Sequence, residues 1–144
     1  MSFLNSLNIS GSGLTAQKLR MDIISENIAN IDATRTESGG PYRRKIAVLT
    51  SKDDFKGMLI KNIDENKVKG GVEVSEIIED PSDFKLVYDP EHPDADNDGY
   101  VSMPNVDSLK ETVDMMEAFR AYQANLTALN TTKQMAVKAL EIGR

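Results

Sequence analysis

The chain contains no cysteine, so it has neither a disulfide frame nor a thiolate metal site. That suits folding in the cytosol, or departure from the cell without oxidative folding. Its single histidine, His92, stands between Glu91 and Pro93 in a loop-like stretch. A Ser–His–Asp relay or a His-ligated metal would rest on that residue alone, so a surface role is expected for it. No run approaches the roughly 20 apolar residues of a membrane span. An excess of positive charge is also missing: the net charge is −6, which argues against nucleic acid as a partner. No glycine-rich loop has phosphate-binding spacing, and no pair of carboxylates sits in an acid/base context. No catalytic residue, cofactor, metal or small-molecule substrate is therefore expected, and a hydrolase has no constellation to support it. Finally, no charged side chain occurs from Met1 to Gln17. A secretory signal needs a basic start and a solid apolar run. The segment is expected to stay in the mature protein, and any export to leave it intact.

What is present divides 144 residues, one domain by size, into three segments. Residues 1–34 carry Lys18 and Arg20 against Asp22, Glu26 and Asp32, a net of −1. Residues 106–144 carry five basic and five acidic groups, and the remaining ten basic and fifteen acidic groups give residues 35–105 a net of −5. Nearly neutral ends flank an acidic middle.

Both ends are striped. Phe3, Leu7, Ser10, Leu14, Gln17, Met21, Ile24, Ile28 and Ile31 alternate spacings of four and three, a coiled-coil seam with polar breaks. Gly11 and Gly13 weaken its first turns, and Ser12 is a candidate cap for a shorter helix from Leu14. Met115, Phe119, Tyr122, Leu126, Leu129, Lys133, Ala136 and Leu140 repeat the pattern, and Leu109, Val113 and Met116 add a second row. Asp107 or Ser108 caps the start, and Gly143 suits the stop. Such helices reach roughly 45–50 Å at about 1.5 Å per residue, against a diameter of about 30 Å for a globule of this size. The expected solution is an antiparallel pair with the chain ends at one tip and the middle segment at the other. Apolar faces would be left for further helices, from copies or partners.

The middle predicts strands at Tyr42–Thr50, Val72–Ile78, Phe84–Tyr88 and Tyr100–Met103. Turns are predicted at Gly39-Gly40-Pro41, Lys69-Gly70-Gly71 and Asp80-Pro81-Ser82-Asp83. The fold class is α+β: long terminal helices paired as an antiparallel coiled coil around a small β-rich insert. Arg43-Arg44-Lys45 is a basic run for which ion pairing within the fold is expected. Asp94-Ala-Asp-Asn-Asp-Gly99 matches the opening of a calcium loop, but position 12 is Asn105 where a bidentate Glu belongs. Pro90, Pro93 and Pro104 interrupt its flanking helices. An acidic turn is expected, with Gly99 in an unusual backbone angle; a calcium-binding helical adaptor using Asp94–Asn105 is the alternative.

The segment Met21–Thr34, with Asn27-Ile28-Ala29-Asn30 at its centre, resembles the N-terminal signature of bacterial flagellar axial proteins, the rod and hook family. Pro41-Tyr-Arg-Arg-Lys45, His92-Pro-Asp-Ala-Asp96, Gly99-Tyr-Val101, Pro104-Asn-Val-Asp107, Ala118–Asn125 and Lys138–Gly143 resemble its rod members, in order and from end to end. One departure is the exit from the first helix, where many axial proteins place Gly-Tyr soon after the Thr.

The resemblance implies a non-enzymatic subunit of the proximal rod, the drive shaft of the basal body, outside the inner membrane. It implies export by the flagellar type III apparatus. The implied partners are copies of itself, other rod proteins, the rod-to-ring adaptor and the inner-membrane ring. The expected assembly interface is Leu14, Met21, Ile24, Asn27, Ile28, Asn30 and Ile31 on the first helix, with Phe119, Tyr122, Asn125, Leu126 and Leu129 on the second.

Overall fold

A computed structural model describes residues 3–37, 39–52 and 70–142. Helix α1 runs Phe3–Ala29, and helix α2 runs Ser108–Ile142. Between them lie strands β1 (Lys45–Ser51), β2 (Val72–Glu79), β3 (Lys85–Tyr88) and β4 (Tyr100–Met103). Each of the four predicted strands is present, the first starting three residues late. The architecture is α+β. The expected stop at Gly143 and the turn residue Lys69 lie outside the described residues.

The helices pair antiparallel, as three contacts fix. Asn125 lies against Gly13, Asp114 pairs with Arg20 at 3.7 Å, and Glu111 binds Asn27 at 3.0 Å. The facing row differs from the expected seam. On α1 it is Gly13, Arg20 and Asn27, with buried Ala16 between the first two, one residue ahead of the Leu14–Met21–Ile28 stripe. On α2 it is Glu111, Asp114, Ala118 and Asn125, again one residue ahead of the predicted row. Interaxial distance depends on the side chains at the contact, and small ones permit close approach. Glycine and alanine at the crossing, with polar pairs between them, therefore displace the larger residues to the flanks. Ile24 is the member of the predicted row that becomes fully buried.

Helix α1 is continuous through Gly11 and Gly13, so Ser12 is not a cap. Its hydroxyl donates to the Ile9 carbonyl at 2.8 Å and accepts the Val72 N–H at 3.1 Å. That second bond corrects the placement of the middle segment, which does not sit only at the far tip. The β1–β2 hairpin runs back along α1. Lys45 joins it at Asn27, and Val72 joins it at Ser12. Fifteen helical residues and seven strand residues both span about 23 Å, so the two elements match in length. Pairing is antiparallel, with a bulge at Val48/Leu49 that leaves Ser75 as the extra residue; its hydroxyl donates to the Val48 carbonyl. Packing on α1 supplies what a two-stranded hairpin lacks by itself.

The second hairpin, β3–β4, is also antiparallel, and Val101 of β4 is buried with Tyr42, Pro104 and Val106. Asp107 caps α2, its carboxylate accepting the Leu109 N–H at 2.9 Å. If the contact register continues, the residues from about Ala136 onward project past Phe3. Of the 35 residues in α2, two are buried, Glu111 and Ala118.

Candidate assembly site: the polar junction and the open helix faces

Helices α1 and α2 and strand β1 meet at one buried polar junction, joined by the loops that follow β2 and β4. It starts from Asn27, which is 1% exposed. Its Nδ2 donates to the Lys45 carbonyl at 2.9 Å and to Glu111 Oε2 at 3.0 Å. Its Oδ1 accepts the Lys45 N–H and the Tyr42 hydroxyl, both at 2.9 Å. One side chain thus ties α1 to β1, to the loop before it, and to α2.

Glu111 is 0% exposed, and its other oxygen accepts Arg44 Nε at 2.6 Å. A buried carboxylate is tolerable only when paired and hydrogen-bonded, and both its oxygens are used. Arg44 also reaches Asp114 at 3.2 Å and Asp80 at 3.6 Å. Asn105 closes the ring. Its side chain accepts the Arg44 N–H at 2.8 Å and donates to the Asp80 carbonyl at 3.1 Å. The basic run is therefore used inside the fold: Arg43 donates to the Asp80 carbonyl and lies 4.3 Å above the Phe84 ring, and Lys45 pairs with Glu26.

The electrostatics follow from this packing. Burial, then the charges of Glu26, Glu111 and Glu79, push the Tyr42 hydroxyl up to about 12. The Ser82 backbone N–H and hydroxyl, and then Arg44, hold the Asp80 carboxyl below its ordinary value.

The acidic loop has no calcium geometry. Asp94 accepts the Thr34 hydroxyl at 2.9 Å and lies 3.9 Å from Arg35; Asp96 accepts the Asn97 N–H. Asn105, at the twelfth position, is occupied at the junction. Among the described residues no group of three or more His, Asp or Glu is placed to hold a metal ion. Gly99 takes φ +78°, as its turn position predicts. His92 Nδ1 accepts the Asp94 N–H at 3.1 Å.

The twelve expected interface residues separate into three groups. Ile24 and Asn27 are interior. Leu14, Met21, Ile28, Asn30, Ile31, Tyr122, Asn125 and Leu129 are half-buried, Asn125 against Gly13 and Asn30 with its amide on the Glu26 carbonyl. Phe119 and Leu126 are exposed, joined on α2 by Leu109, Val113, Met116 and Leu140. Glu111, Arg44 and Tyr42 complete the junction and were not among the twelve. A charged residue in a helix carries no sequence sign of burial, although Arg44 did stand in a run marked for ion pairing.

Comparison with known proteins adds to this geometry. A family model described as flagella basal body rod protein matches residues 7–35. A second, described as flagellar basal body rod FlgEFG protein C-terminal, matches residues 97–142. The chain is 51% identical over 150 residues to the flagellar basal-body rod protein FlgC of Bacillus subtilis, covering all of both chains. It is 45% identical over 149 residues to FlgC of Borreliella burgdorferi, covering 99% of this chain and 98% of that one. Against FlgC of Salmonella typhimurium it is 42% identical over 144 residues, with both chains fully covered. None of these comparisons supports a calcium-binding adaptor.

Proposed function

The chain belongs to the FlgC family of flagellar basal-body rod proteins, and from that premise we propose how it assembles. It is a structural subunit of the basal-body rod, with no enzymatic activity, and it associates with other rod components. The observation that carries the proposal is the coverage of α2. It is about 52 Å long by its rise, yet has two buried residues, both in its first third. Apolar side chains stand on several of its faces, Leu109, Val113 and Met116 on one and Phe119, Leu126 and Leu140 on another. A helix apolar on several sides is built for burial.

In this reading, residues 1–34 and 106–144 are the assembly segments and residues 35–105 form a body beside them. Leu14, Met21, Ile28 and Ile31, left on the flank by the pairing row, join Phe119, Tyr122, Leu126 and Leu129 in facing helices of neighbouring subunits. Those neighbours are copies of this chain and other rod proteins. The rod-to-ring adaptor and the inner-membrane ring meet the chain at its end of the shaft, and the type III apparatus delivers it. The polar junction holds the body at one angle to the helix pair, because its hydrogen bonds are satisfied in one arrangement only.

Leu126→Asp tests the reading. The exposed site leaves the isolated fold intact by circular dichroism, while rods fail to form in electron micrographs of basal bodies. Normal rods from a stably folded Leu126→Asp chain refute this interface.

A further inference from the structure

The molecule carries two uncovered apolar surfaces of opposite charge, one at each end of α2. The first is the outer face of the β3–β4 hairpin. The register pairs Leu86 with Ser102 and Tyr88 with Tyr100, which places these four side chains on one face; Val101, on the other, is buried. A small antiparallel sheet with one packed face ordinarily presents polar residues on the other. Here Leu86 is 69% exposed and Tyr88 66%, and the two tyrosine rings meet edge to face with centroids 5.3 Å apart. The turn beyond the rings is acidic. Asp89, Glu91, Asp96 and Asp98 are exposed and have no ion pair among the described residues, whereas Asp94 is held by Arg35. Lys85, at the edge, is turned away, its Nζ donating to the Val106 carbonyl at 2.7 Å.

The second surface is the far end of α2. From Ala118 to Leu140 the helix carries Arg120, Lys133 and Lys138 and no Asp or Glu. Lys133, Val137 and Leu140 follow at spacings of four and three, so they share one face. All three are exposed, Leu140 at 77%. Lys138 is paired with Glu141, but Lys133 has no ion pair among the described residues. With Asn125 against Gly13, this end of the antiparallel pair runs on past Phe3, so the described part of α1 does not cover it.

The two surfaces are complementary in charge and size, but they do not meet within one chain. Strand β4 leads into α2 at Ser108, and Leu140 lies roughly 48 Å farther along that helix. The helix from Lys133 to Leu140 and a four-residue strand span roughly 11 and 13 Å. We propose that the Lys133–Val137–Leu140 face of one copy docks on the Leu86–Tyr88–Tyr100 face of the next. Val137 and Leu140 cover Leu86 and the rings, and Lys133 meets the acidic turn at Asp89 and Asp98. Each copy offers one surface of each kind, so the contact is head-to-tail and propagates from copy to copy. A patch this small is well below the area of about 1,200 Å² that a stable interface buries. It therefore sets the register of copies that the helix layer holds together. The inference rests on the rod reading.

Disulfide trapping tests it, because the chain has no cysteine of its own. The full-length chain carrying Leu86→Cys and Leu140→Cys is oxidised in isolated basal bodies and run on a gel without reductant. The expected product is a ladder of linked copies, which neither single substitution gives. Adding Asp89→Lys and Asp98→Lys lowers the ladder yield roughly tenfold, and Lys133→Glu in the same chain restores it. Rods that form without a ladder, or dimers from Leu86→Cys alone, overturn the proposal and leave the rod reading standing. If the cysteine chain builds no rods, the charge exchange decides in a cysteine-free chain: rods lost with Asp89→Lys and Asp98→Lys and regained with Lys133→Glu support the contact, and no recovery overturns it. Absence of the unsubstituted chain from purified rods removes the rod reading, and the inference with it.

Discussion

Replacing Asn27 with alanine strips partners from four groups at once: the Lys45 N–H, the Lys45 carbonyl, the Tyr42 hydroxyl and Glu111 Oε2. An unsatisfied buried polar group costs about 1–3 kcal/mol. Water entering the vacated space replaces part of what is lost, so the expected cost is about 3–5 kcal/mol. Against a typical domain stability of about 5–15 kcal/mol, that is a large share. The assay is urea denaturation of the full chain followed by circular dichroism. With a slope of about 2 kcal/mol per molar urea, the midpoint falls by about 2 M while the slope holds. Asn30→Ala is the control. Its amide donates to the Glu26 carbonyl on the exposed side, so the midpoint shifts by less than about 0.5 kcal/mol equivalent. A loss below about 1 kcal/mol for Asn27→Ala, or one equal to the control, refutes the junction's role in holding the fold together.

Tyr42 supplies a pH test. Its folded pKa is raised from 10.0 to about 12, so its contribution is intact below pH 10 and is lost as pH climbs through about 12. Tyr42→Phe should flatten that alkaline decline and cost about 1 kcal/mol at neutral pH, both read from denaturation midpoints. Arg44→Met leaves Glu111 buried without its cation and is expected to cost about 3–5 kcal/mol; adding Glu111→Leu should recover most of it. Ile24→Asp, aimed by the sequence pattern at assembly, should instead unfold the isolated chain, because Ile24 is interior. Thermal melting distinguishes it from Leu126→Asp.

Much of the fold was legible. Alternation of apolar and polar residues placed β2, and glycine turns placed the starts of β2 and β4. The helix stripes located both terminal helices, but not the face each shows the other. Counting large apolar residues selects Leu14, Met21, Phe119 and Leu126. Pairing instead runs through Gly13, Ala16, Ala118 and the polar pair Asn27–Glu111, because close helix approach favours small residues. The same offset explains why the apolar rows remain on the flanks. The return of β1–β2 along α1 is fixed by long-range contacts, Lys45 to Asn27 at one end and Val72 to Ser12 at the other, for which no local sequence signal exists. The junction was hidden for a related reason: buried asparagine and glutamate resemble solvent-facing ones until their partners are in place.

The most direct test of the account is an electron-microscopy reconstruction of the assembled shaft. It should show α1 and α2 together inside the wall, Phe119 and Leu126 covered by helices of neighbouring subunits, and the β hairpins outside them. A shaft in which the hairpins form the wall and α2 keeps its Phe119 and Leu126 face in solvent would contradict it.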